Sequence, residues 1–232
     1  MFDQMAGRVS FRLIFDLDET LIDSVPSLTA AANVMLGELG RAPVEPARYK
    51  SFVGHGMRQQ VKRVLEATGG VPGGDLRPHL ARMIAIYGAD PLRGTGSYPG
   101  VLETLHKLAE QGCQMAVCTQ KPEAQARQIL QGLHLMPPIQ GLTGGGTLDV
   151  LKPDPAMLHH AAAQLSGDGP VVMIGDRDVD AQTAANAGAQ FVLFAPDGQQ
   201  PAFATDATFS EWADLPAVLS DLRAKSDLRV QA

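Results

Sequence analysis

Carboxylate, hydroxyl and amine side chains follow four apolar segments of the chain, each at the point where the apolar residues stop. In chain order they are Asp16 and Asp18, then Thr119, Gln120 and Lys121, then Lys152, and finally Asp176, Asp178 and Asp180. If the four segments are parallel strands of one sheet, these residues lie at one edge, where open parallel sheets bind ligands. The sequence therefore predicts a single site assembled from distant parts of the chain.

Each of these residues also has an ordinary structural explanation. An aspartate or threonine after a strand is commonly a turn residue or a helix N-cap, and a loop lysine usually points into solvent. These explanations do not account well for all of the residues at once, because several carboxylates in one crevice are electrostatically costly unless a cation or a bound ligand offsets their charge. The combination favours a functional site.

The residue types suit phosphoryl transfer assisted by a hard metal ion. Mg²⁺ prefers oxygen ligands and usually takes one or two carboxylates together with waters and a substrate phosphate. A metal and a lysine can neutralise charge that develops on phosphoryl oxygens, and an aspartate can attack phosphorus to form an aspartyl-phosphate. Asp16 fits the nucleophile. Asp18 fits an acid that protonates the leaving oxygen and then deprotonates the attacking water.

Short apolar runs alternate with longer amphipathic runs, which predicts an α/β protein with a Rossmann-like parallel sheet flanked by helices. The predicted strands are Val9–Phe15, Gln114–Thr119, Ile139–Thr143, Val171–Ile174, Gln190–Phe194 and a weaker edge strand, Ala207–Phe209. The predicted helices that connect and follow them are Val101–Glu110, Pro122–Gly132, Pro155–Leu165, Asp178–Ala187 and Trp212–Lys225.

The connection between the first two predicted strands is unusually long. It has about a hundred residues, whereas a complete βαβ unit needs only about 30. Residues 24–95 instead predict an inserted domain with helices at Ser27–Leu39, Met57–Ala67 and Leu76–Tyr87. The expected organisation is a catalytic core of residues 1–23 and 96–232, with an α-helical cap domain of residues 24–95 inserted after the first strand.

Composition limits the partners. The 232 residues carry 19 Lys and Arg against 25 Asp and Glu, a net charge of −6, and no basic cluster, which argues against a nucleic-acid partner. No apolar run is long enough to span a membrane, and the N-terminus lacks the features of a signal peptide. Cys113 and Cys118 are predicted roughly 16 Å apart on opposite faces of a strand, too far for a disulfide. We expect a cytoplasmic monomer or homodimer that acts on a small phosphorylated metabolite.

The four segments resemble, in order and pattern, the motifs of the haloacid dehalogenase-like phosphohydrolase superfamily. FDLDETLIDS at 15–24 resembles the first motif, usually hhhDxDGT, and the apolar strand that ends in Thr119 resembles the second. Lys152 in LKPDP resembles the third motif and GDRDVD at 175–180 the fourth. The dehalogenases of the superfamily lack the second aspartate of the first motif, so Asp18 favours phosphoryl transfer.

The resemblance implies a role for each matching residue in catalysis. Asp16 is the expected nucleophile and Asp18 the expected acid and base. Thr119 and Lys152 are expected to hold the transferring phosphoryl group, with Gln120 beside them.

The resemblance also implies a Mg²⁺ site. The Asp16 carboxylate, the Asp18 carbonyl oxygen and Asp176 are the expected ligands. Asp180 is expected either to bind the metal as a further ligand or to lie just behind it.

The chain departs from the superfamily pattern beside these motifs. Glu19 stands where many members have glycine, Arg177 where serine is common and Gln120 where asparagine is common. The Glu19 side chain is expected to face away from the site. Lys121 is an alternative to Lys152 as the phosphate-binding lysine, but its predicted place at the start of a helix fits that role less well.

The insertion contains a loop that is a candidate for recognising the rest of the substrate. Residues 52–58 read FVGHGMR, a glycine-flanked loop that enters a helix with His55 and Arg58. Arg58 and the helix N-terminus would bind a small carboxylate substrate favourably, whereas in the alternative reading the glycines only form a turn and Arg58 points into solvent. Together with YPGV at 98–101, the loop resembles the phosphoglycolate phosphatases of the superfamily, which implies hydrolysis of 2-phosphoglycolate to glycolate.

Other functions are compatible with the same residues. A β-phosphoglucomutase-like enzyme or a sugar-phosphate phosphatase would share Asp16 and Asp18, and the mutase would form an isomerised sugar phosphate rather than free phosphate. A phosphonate hydrolase would need a Schiff-base lysine in the insertion, where Lys50 and Lys62 are the candidates. A phospho-aspartate signalling module or a non-catalytic phosphate-binding protein also uses acidic strand ends, although receiver domains lack the large insertion and the second aspartate.

Overall fold

Six parallel strands form the central sheet of the computed structural model, which describes residues 10–53, 56–198 and 200–230. The eight strands of the described chain are β1 (Arg12–Phe15), β2 (Ile22–Asp23), β3 (Gly96–Ser97), β4 (Gln114–Pro122), β5 (Gly141–Gly145), β6 (Val171–Gly175), β7 (Gln190–Phe194) and β8 (Ala207–Phe209). The sheet order is β5-β4-β1-β6-β7-β8, with β1 at the centre and β8 at an edge. The predicted α/β fold with a parallel sheet is confirmed. The predicted start of the first strand, Val9, lies outside the described residues.

Helices occupy most of the intervals between the strands. They are α1 (Val25–Glu38), α2 (Pro46–Lys50), α3 (Gly56–Glu66), α4 (Arg77–Ala89), α5 (Val101–Glu110), α6 (Glu123–Gly132), α7 (Pro155–Ala163), α8 (Asp178–Asn186) and α9 (Leu215–Val230), with 3₁₀ turns at Pro72–Gly74 and Trp212–Asp214. Asp154 caps α7 by accepting a hydrogen bond from Ala156 N at 2.9 Å, and Pro155 occupies its first position, as the sequence predicts. None of the described helices is both long and apolar enough to cross a bilayer.

Each face of the sheet is covered by helices, which explains why the strands are almost wholly apolar. In β1, Leu13 and Phe15 pack into one apolar cluster and Ile14 into the other. The first cluster lies under α5, α6 and α9, and the second lies under α7 and α8. Cys113 and Cys118 are buried thiols that form no disulfide, and they fall into opposite clusters, so they lie on opposite faces as predicted.

Four helices, α1 to α4, lie between β2 and β3, in the segment predicted to be inserted. α1 packs against α4 and α2, and α3 packs against α4. α2 was not predicted, because a five-residue helix that begins at Pro46 is too short to show a helical period. Its Tyr49 is fully buried and Val61 and Val64 of α3 join the same cluster, so the helices share an apolar interior.

A two-stranded antiparallel ribbon links the helices to the core. β2 carries the chain out of the core and β3 carries it back, and they pair through Ile22 with Ser97 and Asp23 with Gly96. The two connections therefore run side by side. The ribbon was not predicted, because two-residue strands carry no periodic signal.

Candidate active site

Three neighbouring strands deliver polar side chains to the same edge of the sheet. β1 lies between β4 and β6, and Asp16, Thr119 and Asp176 lie at or just beyond the carboxyl ends of these strands. Lys152 comes from the loop after β5 and reaches Asp16 with its ammonium group. The structure therefore brings together the residues that the sequence placed after four separate strands. Asp178 is the exception, since it is exposed and bonds only to the start of its own helix, through Val179 N.

Asp16 is held by a tight turn at the end of β1. Its Oδ1 accepts hydrogen bonds from Leu17 N at 2.7 Å and lies 2.9 Å from Lys152 Nζ, whereas no described residue bonds to Oδ2. Burial raises the pKa of Asp16 to about 6, Lys152 opposes the rise, and Asp180 adds to it. The carboxylate is thus fixed at one oxygen and available at the other.

Lys152 is buried between two carboxylates. Its Nζ lies 2.9 Å from Asp16 Oδ1 and 2.7 Å from Asp180 Oδ1, and its side chain is 1% exposed. Burial alone would lower the pKa of this lysine, but the two aspartates outweigh burial and raise it. The ammonium group is therefore a permanent positive charge next to Asp16. Gln120 Nε2 donates to the Lys152 carbonyl at 3.1 Å and so fixes the lysine loop to β4.

Asp180 is fully buried, and both of its oxygens are engaged. Oδ1 accepts from Lys152 Nζ at 2.7 Å, and Oδ2 accepts from Arg177 N at 3.2 Å, at the start of α8. The carboxylate also lies directly against Gly175, where a Cβ would stand 2.6 Å from Asp180 Cβ. Glycine is needed at position 175 because the buried carboxylate fills the space that a side chain would take.

We expect Gly175→Ala to lower turnover by disturbing the Asp180–Lys152 pair. The added methyl group must displace Asp180, which moves Lys152 from Asp16 and forces strain costing about 1–3 kcal/mol of stability. Phosphate release and the denaturant midpoint should both fall. Gly37→Ala, at an exposed position of α1, is the matched control, because nothing lies within 4 Å of the added carbon and φ of Gly37 is not in the left-handed region. Wild-type activity in Gly175→Ala would contradict the placing of Asp180.

Asp18 makes an ion pair with a lysine other than Lys152. Lys121 Nζ donates to Asp18 Oδ1 at 2.7 Å, and the lysine side chain is 2% exposed. The expectation that Lys121 starts a helix is wrong, because it belongs to β4 and α6 begins only at Glu123. The pairing of β4 with β5 shifts register between Cys118 and Pro122, and such irregularities re-aim side chains next to active sites.

Thr119 is the third residue at the end of β4 that faces this edge. It is 1% exposed, and its Oγ1 accepts a hydrogen bond from Lys121 N at 3.2 Å. The hydroxyl group therefore retains a hydrogen to donate to a substrate oxygen.

The donor set of Asp16, Asp176 and Asp180 fits a hard cation. One carboxylate oxygen from each lies within 4.8 Å of the others, and all three are oxygen ligands of the kind Mg²⁺ prefers. Burial raises the pKa of Asp176 well above its ordinary value, Arg177 lowers it, and Asp180 and Asp16 add to the rise. Asp176 is oriented by Thr20 Oγ1 at 3.2 Å and by Arg177 Nε at 3.2 Å. The crowded negative charge is what a divalent ion would offset.

A small cavity separates these residues from the inserted helices. Its volume is about 40 Å³, which is room for only a few water molecules. On the core side it is lined by Asp16, Asp18, Thr119, Gln120, Lys121, Pro122, Lys152, Arg177 and Val179. On the side of the inserted helices it is lined by Leu28, Val53, Gly56, Met57 and Gln60.

Arg58 is not brought into this cavity. α3 turns Gln60, Val61 and Val64 inward, and Arg58 lies on the exposed face. It lines a separate depression on the insertion, together with Lys62. His55 lies outside the described residues. Among the described residues that line the cavity, the cations are Lys121, Lys152 and Arg177, all from the core.

Glu19 is directed at the connection between core and insertion. Its carboxylate accepts hydrogen bonds from Ser24 N and Tyr98 Oη, both at 3.2 Å, and Glu19 is not among the residues that line the cavity at Asp16. Burial, followed by the charge of Asp23, raises the pKa of Glu19 to about 7. Its φ of 62° lies in the left-handed region, which explains why glycine is common in this place.

Comparison with known proteins identifies the family of the fold and site. The family model described as "Haloacid dehalogenase-like hydrolase" matches residues 13–194. A phosphoglycolate phosphatase of Cereibacter sphaeroides is 39% identical over 217 residues, which is 91% of this chain and 99% of that protein. A phosphoglycolate phosphatase of Rhodospirillum rubrum is 42% identical over 187 residues, which is 78% of each chain.

Solved structures show the same fold at lower sequence identity. A predicted phosphoglycolate phosphatase from Haemophilus somnus superposes with a TM-score of 0.80 at 23% identity, covering 92% of this chain and 99% of that one. CbbY from Rhodobacter sphaeroides, solved in complex with phosphate, superposes with a TM-score of 0.67 at 19% identity, covering 89% and 96%. At such identities the likeness concerns the fold alone.

Proposed function

The chain belongs to the haloacid dehalogenase-like hydrolase family and is a phosphatase, and from this premise we propose that it hydrolyses 2-phosphoglycolate to glycolate and phosphate with the help of Mg²⁺. The observation that carries the proposal is the position of Lys152 between Asp16 and Asp180, beside the Asp18–Lys121 pair. An aspartyl-phosphate mechanism requires a fixed carboxylate with a free oxygen, a permanent cation and a second carboxylate, and this site has all three.

The reaction proceeds in two displacements. The free oxygen of Asp16 attacks phosphorus, the bond from phosphorus to the ester oxygen breaks, and Asp18 gives its proton to the departing glycolate oxygen. Asp18 then takes a proton from a water molecule whose oxygen attacks the aspartyl-phosphate, which returns Asp16 and releases inorganic phosphate. Lys152 and Thr119 hold the phosphoryl oxygens throughout.

Mg²⁺ would be held by Asp16, Asp176 and the carbonyl oxygen of Asp18. Asp180 is proposed to lie behind the metal rather than to bind it, because both of its oxygens already accept hydrogen bonds. When bound, the ion offsets the charge that gathers on the phosphoryl oxygens. The carboxylate cluster and the raised pKa of Asp176 support this assignment.

The helices of residues 24–95 are proposed to act as a cap domain over the core of residues 1–23 and 96–232. Their residues form one wall of the cavity at Asp16, so closure over a bound substrate would exclude water from the aspartyl-phosphate. The relatives named phosphoglycolate phosphatase support a two-carbon leaving group.

The direct test is phosphate release from a panel of small phosphate esters, with and without Mg²⁺. We expect 2-phosphoglycolate to give the highest kcat/KM, hexose phosphates to react poorly because of their size, and no isomerised sugar phosphate to form. EDTA should lower the rate to about a tenth or less, and excess Mg²⁺ should restore it, because a bound metal supplies several kcal/mol of charge stabilisation. Full activity in chelator would contradict the metal site, and a preference for hexose phosphates would contradict the substrate.

A further inference from the structure

Lys121 is a buried cation whose place in the site is not explained by holding the phosphoryl group. Its side chain is 2% exposed, and its Nζ donates a hydrogen bond to Asp18 Oδ1 at 2.7 Å. The other close group is Tyr87 on α4, whose ring centroid lies 4.7 Å from Nζ and whose hydroxyl also interacts with the ammonium group. An ammonium group has three donors, so Asp18 and Tyr87 leave at least one of them without an oxygen acceptor among the described residues.

The two lysines at the site differ in how their charge is balanced. Lys152 lies between two carboxylates, those of Asp16 and Asp180. Lys121 has the carboxylate of Asp18 and the face of an aromatic ring, which attracts a cation more weakly. A buried ammonium group with an unused donor at the wall of a cavity is a site for a further anion.

The position of Lys121 indicates that the anion it binds belongs to the leaving group of the substrate. Asp18 must approach the leaving oxygen within hydrogen-bond reach if it is the acid of the reaction. Lys121 Nζ lies 2.7 Å from Asp18, so it stands beside the leaving group rather than beside the phosphoryl oxygens. In 2-phosphoglycolate one methylene separates the ester oxygen from the carboxylate, which places the carboxylate within reach of this lysine.

The described residues of the inserted helices provide no competing cation at the cavity. Their described residues at the cavity are Leu28, Val53, Gly56, Met57 and Gln60, and Arg58 lies on the outer face of α3. The third core cation, Arg177, is paired through Nε with Asp176 on the side of the proposed metal. We therefore expect Lys121, at the end of β4, to bind an anionic leaving group.

We propose that Lys121 is the specificity-determining residue of the site, selecting phosphate monoesters that carry a carboxylate next to the ester carbon. The inference rests on the proposed function and adds the residue that recognises the carboxylate of the substrate. Tyr87 covers the lysine from the insertion, so the carboxylate site is complete only when α4 lies over β4.

The test compares two esters of the same size on three proteins. The esters are 2-phosphoglycolate and its neutral amide, 2-phosphoglycolamide, and the proteins are the wild type, Lys121→Met and Lys121→Arg. We expect the wild type to prefer the carboxylate in kcat/KM. Lys121→Met should reduce that preference by about 10- to 100-fold, the effect of a hydrogen bond to a charged group, and Lys121→Arg should retain most of it. Lys107→Met, on the exposed face of α5, is the matched control and should keep the full preference.

The outcomes separate the inference from the function on which it rests. If Lys121 only supported Asp18, Lys121→Met would slow both esters by the same factor, and an unchanged preference would overturn the inference while the phosphatase assignment stood. A wild type that hydrolyses neither ester would refute the proposed function and, with it, the inference. If Lys121→Met is inactive on both esters, the affinity of this variant for the two esters decides, measured by calorimetry. Equal affinity for both esters supports the inference, and a retained preference for the carboxylate contradicts it.

Discussion

Asp16→Asn is expected to abolish turnover while leaving the fold intact. The amide cannot form the aspartyl-phosphate, and removing a covalent nucleophile lowers kcat by on the order of 10⁴-fold or more. Phosphate release from 2-phosphoglycolate at saturating Mg²⁺ is the measurement. Asp168→Asn, an exposed aspartate before β6, is the control and should be fully active. Phosphate release by Asp16→Asn at the wild-type rate would end the assignment of the nucleophile.

The same variant should be at least as stable as the wild type at neutral pH. Burial raises the pKa of Asp16 from 3.8 to about 6, so between these values the folded chain holds the proton more tightly than the unfolded chain. The wild type therefore loses stability relative to Asp16→Asn as the pH rises through that range. In metal-free buffer, Asp16→Asn should melt at the same or a higher temperature at pH 7, and the difference should close below about pH 3.8. A lower melting temperature at pH 7 would show that its inactivity reflects damage to the fold.

Asp18→Asn should slow turnover by roughly 10²- to 10⁴-fold, the usual contribution of a general acid and base. Its effect should depend on the leaving group. p-Nitrophenolate departs without a proton, so Asp16 should still be phosphorylated by p-nitrophenyl phosphate, whereas the hydrolysis that needs a base should stall. The expected signature is a burst of p-nitrophenolate equal to the enzyme concentration, followed by a slow steady rate.

Two controls make the result for Asp18→Asn specific. Asp16→Asn should show no burst, because it lacks the group that is phosphorylated. With 2-phosphoglycolate, whose leaving oxygen needs a proton, Asp18→Asn should be slow from the first turnover. An unchanged steady rate on both substrates would move the acid and base role to another residue.

The sequence predicted the sheet well because its strands are buried on both faces. A run such as Gln190–Phe194 is wholly apolar after its first residue, and the strand has these bounds in the structure. Helix α5 also begins and ends as predicted, since Gly100 precedes it and Gly112 follows it closely. By contrast, Lys121 was placed at a helix start because Pro122 looked like a first helical residue. In the structure Pro122 instead closes the strand.

The site was predictable where it depends on strand order and hidden where it depends on tertiary contacts. Asp16 and Lys152 follow strands, so the shared edge of a parallel sheet was enough to bring them together. The contact of Lys121 with Asp18 joins residues 103 positions apart and depends on an irregular end of β4, which no local pattern indicates. The exposure of Arg58 was hidden as well, because Arg58 stands three residues before Val61 and seven before Leu65, at the edge of the apolar stripe of α3.

The ribbon of β2 and β3 means that the chain leaves the core and re-enters it at adjacent points, at Ile22–Asp23 and Gly96–Ser97. Whatever lies between those points can be lengthened, shortened or exchanged without altering the connectivity of the six-stranded sheet. Different inserted segments can therefore be combined with the same catalytic core. In this chain the lysine proposed to bind the carboxylate belongs to the core and the tyrosine that covers it belongs to the inserted segment, so an exchanged segment would keep the cation but would have to supply its own cover.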